Sequence, residues 1–278
     1  MWLQMKATLE SFFIYPVLDW DMMLVAVGLA VAFGAIWLLL HWPPLFNNRW
    51  LWAVGVFSAF FTVLAIVFVQ VPLQHWVGQV LTHFWDQVTL FDWLLLAGIP
   101  TLLLSGLVQE GAKMVPIVFW WWRSEKSLTP RMGLAIGAIA GAGFGIFEAF
   151  WIHGRLFMSG WTVDAIANDG FLGIAGFWER FFVLGFHIAA SALAGYGLAK
   201  GKGWQFYLIA SGLHLLLNYG VVFYQKGYFS LVQTETWVAG IAVLVATTVL
   251  MIRWQRDLDE EEDAGEPVES AEPVNNEV

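Results

Sequence analysis

Cysteine is absent from all 278 residues, which removes disulfides, thiolate metal sites and a cysteine nucleophile from consideration. Charge is scarce as well. Only 13% of residues are Asp, Glu, Lys or Arg, roughly half the usual share in a soluble domain. Hydrophobic residues make up 59%, so composition alone places the chain in the membrane class. Basic residues are missing altogether from one stretch. Residues 257–278, DLDEEEDAGEPVESAEPVNNEV, hold ten acidic side chains and no Lys or Arg. They account for the net charge of −9; without them 13 basic residues face 12 acidic ones, a balance of +1. A near-neutral body offers no basic surface for nucleic acid. The segment itself, rich in Glu, Pro and Asn with little to bury, is expected to be disordered and solvated.

What is present is a series of apolar runs. A spanning helix needs about 20 largely apolar residues. Seven segments qualify, near 22–41, 51–71, 93–122, 131–157, 174–199, 204–225 and 233–253. The chain therefore reads as an all-α, polytopic transmembrane bundle over 22–256. Residues 1–21 carry one Lys, an early Glu and an apolar run broken by Pro16, which fits an interfacial segment rather than a cleaved signal. The connection 72–91, VPLQHWVGQVLTHFWDQVTL, mixes apolar residues with His and Asp and predicts an interfacial helix. Arg49, Arg123, Lys126, Arg131, Lys200, Lys202, Arg253 and Arg256 fall on one side of such a bundle, and Lys6, Arg155 and Lys226 on the other. That bias predicts an outer N-terminus and a cytoplasmic acidic tail. Trp120, Trp121 and Trp122 close the third span beside Arg123, as headgroup-level aromatics do.

Within the fourth span, Gly133, Gly137, Gly141 and Gly145 recur every four residues and line one helix face. Such a stripe lets a neighbouring backbone approach closely. Packing alone explains it, and Glu148 lies just beyond its end.

Ionisable groups near the bilayer centre cost about 2.5–3.5 kcal/mol each on insertion scales, so they are kept when they pair, line a cavity or do chemistry. Here they are Glu110 with Lys113, Glu148, His187, and His214 with Asn218. Counting from the basic ends at the helical rise puts Glu110, His187 and His214 roughly 16–20 Å deep, near mid-membrane. Glu148 falls somewhat further along. Glu110 and Lys113 share a helix face, as do His214 and Asn218. Interhelical hydrogen bonds or a structural ion pair explain any one of these residues. Their convergence at one depth on four spans favours a cavity that does chemistry. His75, His83 and His153 are expected at the interfaces, and Asp164 and Asp169 in a solvated loop.

Two chemistries fit the set. A desolvated carboxyl titrates nearer neutrality than a free one and can act as general base, with imidazole and amide donors for an oxyanion. Alternatively, His187 and His214 with Glu148 hold zinc, and the other Glu is the base.

The order QEGAK (109–113), FGIFE (144–148), FH (186–187) and HLLLN (214–218) on successive spans resembles the PrsW-type membrane proteases. These sit within the wider group of CAAX-processing and bacteriocin-processing enzymes. The resemblance covers 93–225 and rests on the order of short motifs. It implies an intramembrane peptidase of metallo- or glutamate type, working with a Glu-activated water on membrane-protein substrates such as single-span anti-sigma factors. It further implies residence in a bacterial cytoplasmic membrane. Carried over by position, Glu110, Glu148, His187, His214 and Asn218 are the catalytic set, supported by Gln109 and Lys113. One position departs: Gln109 stands where the pattern has the first acid of a Glu pair. That keeps open an inactive homologue that binds client helices; a proton-coupled transporter is the other alternative.

Overall fold

A computed structural model describes residues 1–265, with side chains through Gln255. Among the described residues regular structure is entirely helical. Helix α1 (Trp2–Phe13) precedes seven helical runs long and apolar enough to cross a membrane. They are α2 (Trp20–His41), the run Trp50–Phe84, α6 (Leu94–Arg123), α7 (Pro130–Met158), α9 (Phe171–Ala199), α10 (Gly203–Gln225) and the Leu231–Gln255 part of α11 (Leu231–Gly265). The all-α, seven-span expectation holds.

Three local expectations are corrected. Residues 72–84 are not a separate interfacial helix. Helix α3 (Trp50–Ala65) passes through a π turn, Ile66–Gln70, into α4 (Val71–Phe84) without a break. The resulting run of 35 residues is about 52 Å long at the helical rise, well beyond a hydrocarbon core of about 30 Å. Pro72 gives the reason for the π turn. Its ring would press on the carbonyl four residues back in a regular helix, and a wider turn relieves that clash. The short α5 (Gln87–Asp92) follows, capped by Asp86, whose carboxylate accepts from the Thr89 N–H at 2.8 Å.

The second correction concerns α11, which continues through Gly265 into the acidic segment expected to be disordered. Extending a packed helix needs no new nucleus, and Glu is a good helix former. The remainder of that segment lies outside the described residues. Third, His153 is fully buried rather than interfacial, wedged between Phe33 and Phe177 with ring centroids at 5.6 and 5.2 Å. Asp164 and Asp169 do lie exposed, bounding the short helix α8 (Asp164–Asp169).

Helices α7 and α9 form the centre of the bundle. Their membrane-length windows are 67% and 78% buried, against 22% for both α2 and α6. The glycine stripe is the cause. A Cβ at Gly133, Gly137 or Gly141 would overlap the carbonyl of Gly195, Ser191 or His187 respectively. Backbone thus lies on backbone for three turns, which is how helices gain contact in lipid. On another face Gly143 meets the backbone of Gly55 in α3, and on α6 Gly106 meets the Ser211 carbonyl of α10. Of the four helices that carry the polar residues, α7 is thereby locked to α9 and α6 to α10 at short range.

Substituting Gly141 by Ala should lower the unfolding midpoint in detergent, at an overpacking cost of about 1–3 kcal/mol. Gly28→Ala, where nothing lies within 4 Å, should be neutral or stabilising by up to about 1 kcal/mol through helix propensity. Equal midpoints for the two variants would contradict this packing.

Candidate active site

Glycine contacts decide where the ionisable side chains stand. A Cβ at Gly145 would lie 3.4 Å from the His187 Cβ, and one at Gly106 would lie 3.4 Å from the His214 Cβ. Both imidazoles are thus drawn inward from α9 and α10. Glu110 and Lys113 enter from α6, one turn apart, and Glu148 enters from α7. All five are buried, Glu110 to 1% and Lys113 to 0% exposure.

They form one connected network. Glu110 Oε1 accepts from Lys113 Nζ at 2.6 Å and from His214 Nδ1 at 2.7 Å. Lys113 Nζ also lies 2.8 Å from His187 Nδ1, and His187 Nε2 lies 2.9 Å from Glu148 Oε2. The partners assign the tautomers. An ammonium can only donate, so His187 Nδ1 accepts and its Nε2–H donates to Glu148. His214 donates through Nδ1–H and keeps a lone pair on Nε2. Arg180 Nη1 approaches Glu148 Oε2 at 3.4 Å, while its Nη2 donates to Glu179.

Lys113 stands against Glu110, and Arg180 is shared between Glu148 and Glu179. A buried group this polar persists only when each charge has an opposite partner within hydrogen-bonding range. Aromatic faces enclose it. Phe144 lies under Lys113 Nζ at 5.2 Å and beside His187 at 5.2 Å, and Phe186 meets His214 edge-on at 5.5 Å. Two polar atoms of these side chains are left over: Glu110 Oε2 and Arg180 Nε are buried and have no partner.

Two of the residues singled out in the sequence lie apart. Asn218 is half-buried one turn along α10 from His214, with no hydrogen bond to the cluster among the described residues. Gln109 turns away from it, donating to Gln70 Oε1 at 3.1 Å and to Ser105 Oγ at 3.2 Å. Gln70, at the end of the π turn, and Ser105 escaped the sequence reading, as did Glu235. Glu235 is the acid near the start of the last span, 4% exposed and with an unpartnered Oε2. A search for every polar residue in the spans, and not only acids and imidazoles at one depth, would have raised all three.

The donor set suits a metal ion. One ligand atom each from Glu110, His187 and His214 lies within 4.8 Å of the others. Two imidazoles and a carboxylate with a further position open is a zinc-hydrolase donor set. The carboxylate of the trio is that of Glu110, where the sequence analysis had placed Glu148; Glu148 instead holds the far nitrogen of His187. The unpartnered Glu110 Oε2 is a further open donor, although Lys113 Nζ must withdraw from two of the three residues for an ion to enter.

The fold and this polar centre define a membrane-embedded protein equipped for hydrolytic chemistry. The chain matches the model of the PrsW family intramembrane metalloproteases over residues 47–252 and belongs to that family. Comparison with curated proteins and with solved structures gives no match.

Removing Lys113 alone strands a buried carboxylate, so Lys113→Met should cost about 3–5 kcal/mol. The double variant Glu110→Gln/Lys113→Met should recover part of that loss in denaturant unfolding. Strictly additive costs would show that the two side chains are not coupled.

Proposed function

We propose that the protein is an active intramembrane peptidase, in a bacterial cytoplasmic membrane, that hydrolyses membrane-embedded segments of other proteins. The observation that supports this reading is the Oε2 of Glu110, a buried carboxylate oxygen without a partner in a trio with His187 and His214.

Glu110 takes a proton from water at Oε2, while Lys113 and His214 hold Oε1 in place. The hydroxide equivalent adds to the scissile carbonyl carbon. Of the three N–H groups on Lys113, two are spent on Glu110 and His187, and the third is left to donate to the carbonyl oxygen as charge builds there. The proton held by Glu110 then passes to the leaving nitrogen as the C–N bond breaks. Glu148, steadied by Arg180, fixes the His187 ring and its tautomer. Asn218, one turn from His214, offers an amide to the substrate backbone.

A divalent ion, for which zinc is the natural candidate, would be held by Glu110, His187 and His214 and supplies Lewis-acid polarisation of the carbonyl when bound. With Glu110 engaged in this way, Glu148 would be the carboxylate left to accept a proton. Gln109 does not empty the site, since its amide serves Gln70 and Ser105 rather than the cluster. A single-span regulator such as an anti-sigma factor is the substrate that the family resemblance suggests.

The test is terminal-peptide proteomics of membranes from cells expressing the native chain or a variant at matched levels. Native protein should generate new termini within or beside the spans of other proteins. Glu110→Gln, His187→Ala and His214→Ala should each remove them, by about 100-fold or more for loss of a base or a charge-stabilising donor. Gln109→Ala should retain them. Cleavage unchanged in Glu110→Gln would move the base to Glu148, and no new termini from the native chain would favour a client-binding homologue. Metal analysis of purified native protein against His214→Ala reads the ion independently of activity.

A further inference from the structure

The polar centre is sealed. Glu110, Lys113, His187 and His214 are each 2% exposed or less, so a peptide bond reaches them only after helices part. The helices that carry them, with the α7 of Glu148, form a ring in the order α6, α7, α9, α10. Three of its four seams are covered from outside by a further helix. Helix α3 packs across α6 and α7, α2 across α7 and α9, and α11 across α9 and α10. Among the described residues no helix packs across α6 and α10 in this way. That seam is left to the lipid.

The same seam is held less tightly than its opposite. Three glycines of α7 lie on the backbone of α9, whereas α6 meets the backbone of α10 through one glycine, Gly106 on the Ser211 carbonyl. Tyrosine hydroxyls supply further ties: Tyr207 donates to the Leu107 carbonyl at 2.8 Å, and Tyr219 to that of Leu95. A neutral hydrogen bond of this kind shifts an equilibrium by only about two- to tenfold. Helix α6 also has two weak points. Pro100 and Pro116 lie inside it, each removing one helical hydrogen bond, and Glu110 and Lys113 stand on the stretch between them. Because His214 Nδ1 donates to Glu110 Oε1 across the seam, parting α6 from α10 opens the cluster itself. A recess of about 280 Å³ already indents this seam, walled by Gly111, Met114, Val118, Leu198, Trp204 and Tyr207. Its walls are mainly apolar, and Gly111 is the chain neighbour of Glu110. The partner that such a surface fits is an apolar segment arriving within the membrane.

We propose that the substrate segment enters from the lipid between α6 and α10 and seats an apolar side chain in the recess beside Gly111, with Tyr207 as the latch. This rests on the peptidase reading above. Tyr207 touches no reacting atom; it governs entry by holding the Leu107 carbonyl across the seam.

Opening is tested without any need for activity, since the native chain has no cysteine. Ser211 and Ser191 are 0% and 1% exposed, and each has its carbonyl against a glycine across a seam, α6–α10 for the first and α7–α9 for the second. In membranes, N-ethylmaleimide should alkylate Ser211→Cys roughly tenfold or more faster than Ser191→Cys, read by mass spectrometry of the intact chain. Adding Tyr207→Phe, which removes only the hydroxyl, should raise the rate at Ser211→Cys about two- to tenfold and leave that at Ser191→Cys unchanged. Equal rates at the two cysteines, or no response to Tyr207→Phe, would overturn the proposal. Entry is read by terminal-peptide proteomics. Gly111→Leu, which fills the recess, should cut the new termini about tenfold or more, whereas Gly240→Leu, where nothing lies within 4 Å, should retain them. Undiminished termini in Gly111→Leu would overturn the proposal and leave the peptidase reading standing. No termini from the native chain would refute the peptidase reading and the entry role with it, whatever the alkylation rates.

Discussion

The close backbone approach of α7 to α9 is the constraint on which the rest of the bundle depends. Three glycines of α7 lie directly on three carbonyls of α9, one of them that of His187. In lipid there is no hydrophobic gain from pressing two apolar helices together, so dispersion at short range has to supply the attraction. That attraction requires the missing Cβ atoms. Once α7 and α9 are locked, Glu148 and His187 are within 2.9 Å of one another. The smaller approach of Gly106 to α10 then brings His214 to Glu110. Backbone contact is the cause, and the polar network its consequence.

The network in turn has to satisfy a charge condition. Glu110 and Glu148 are stable with Lys113 and Arg180 inside the membrane because each has a counter-charge in reach, Arg180 being shared with Glu179. Gln109 fits the same rule. A second carboxylate next to Glu110 would put a buried negative charge against Gln70 and Ser105, neither of them a cation, whereas the amide donates to both. The substitution that looks like the loss of a catalytic acid thus spares this site a further buried charge.

Much of this was legible in the sequence. The apolar runs gave the seven spans, and the four-residue glycine period announced the close face of α7. Glu110, Lys113, Glu148, His187 and His214 could be picked out because ionisable groups are rare at that depth. The partners of each were another matter. That Glu110 rather than Glu148 stands with both histidines depends on the rotation of α6 against α10, which the contact of Gly106 with Ser211 sets. His153 was misplaced because depth along a helix does not reveal which neighbour covers it. The fusion of α3 with α4 was missed because residues 72–91 mix His and Asp with apolar residues, while the π turn lets the helix run on past Pro72.

The account rests on α7 and α9 meeting at Gly145 and His187, and the absence of cysteine from the native sequence makes that directly measurable. A Cβ at Gly145 would lie 3.4 Å from the His187 Cβ, close to the spacing of roughly 3.5–4.5 Å found in disulfides. The measurement is oxidation of the double variant Gly145→Cys/His187→Cys in membranes, followed by mass spectrometry of the linked peptides. A disulfide within one chain, absent from a Gly28→Cys/His187→Cys control, is the result predicted. Free thiols at both positions after oxidation, in a folded protein, would contradict the arrangement on which the site depends.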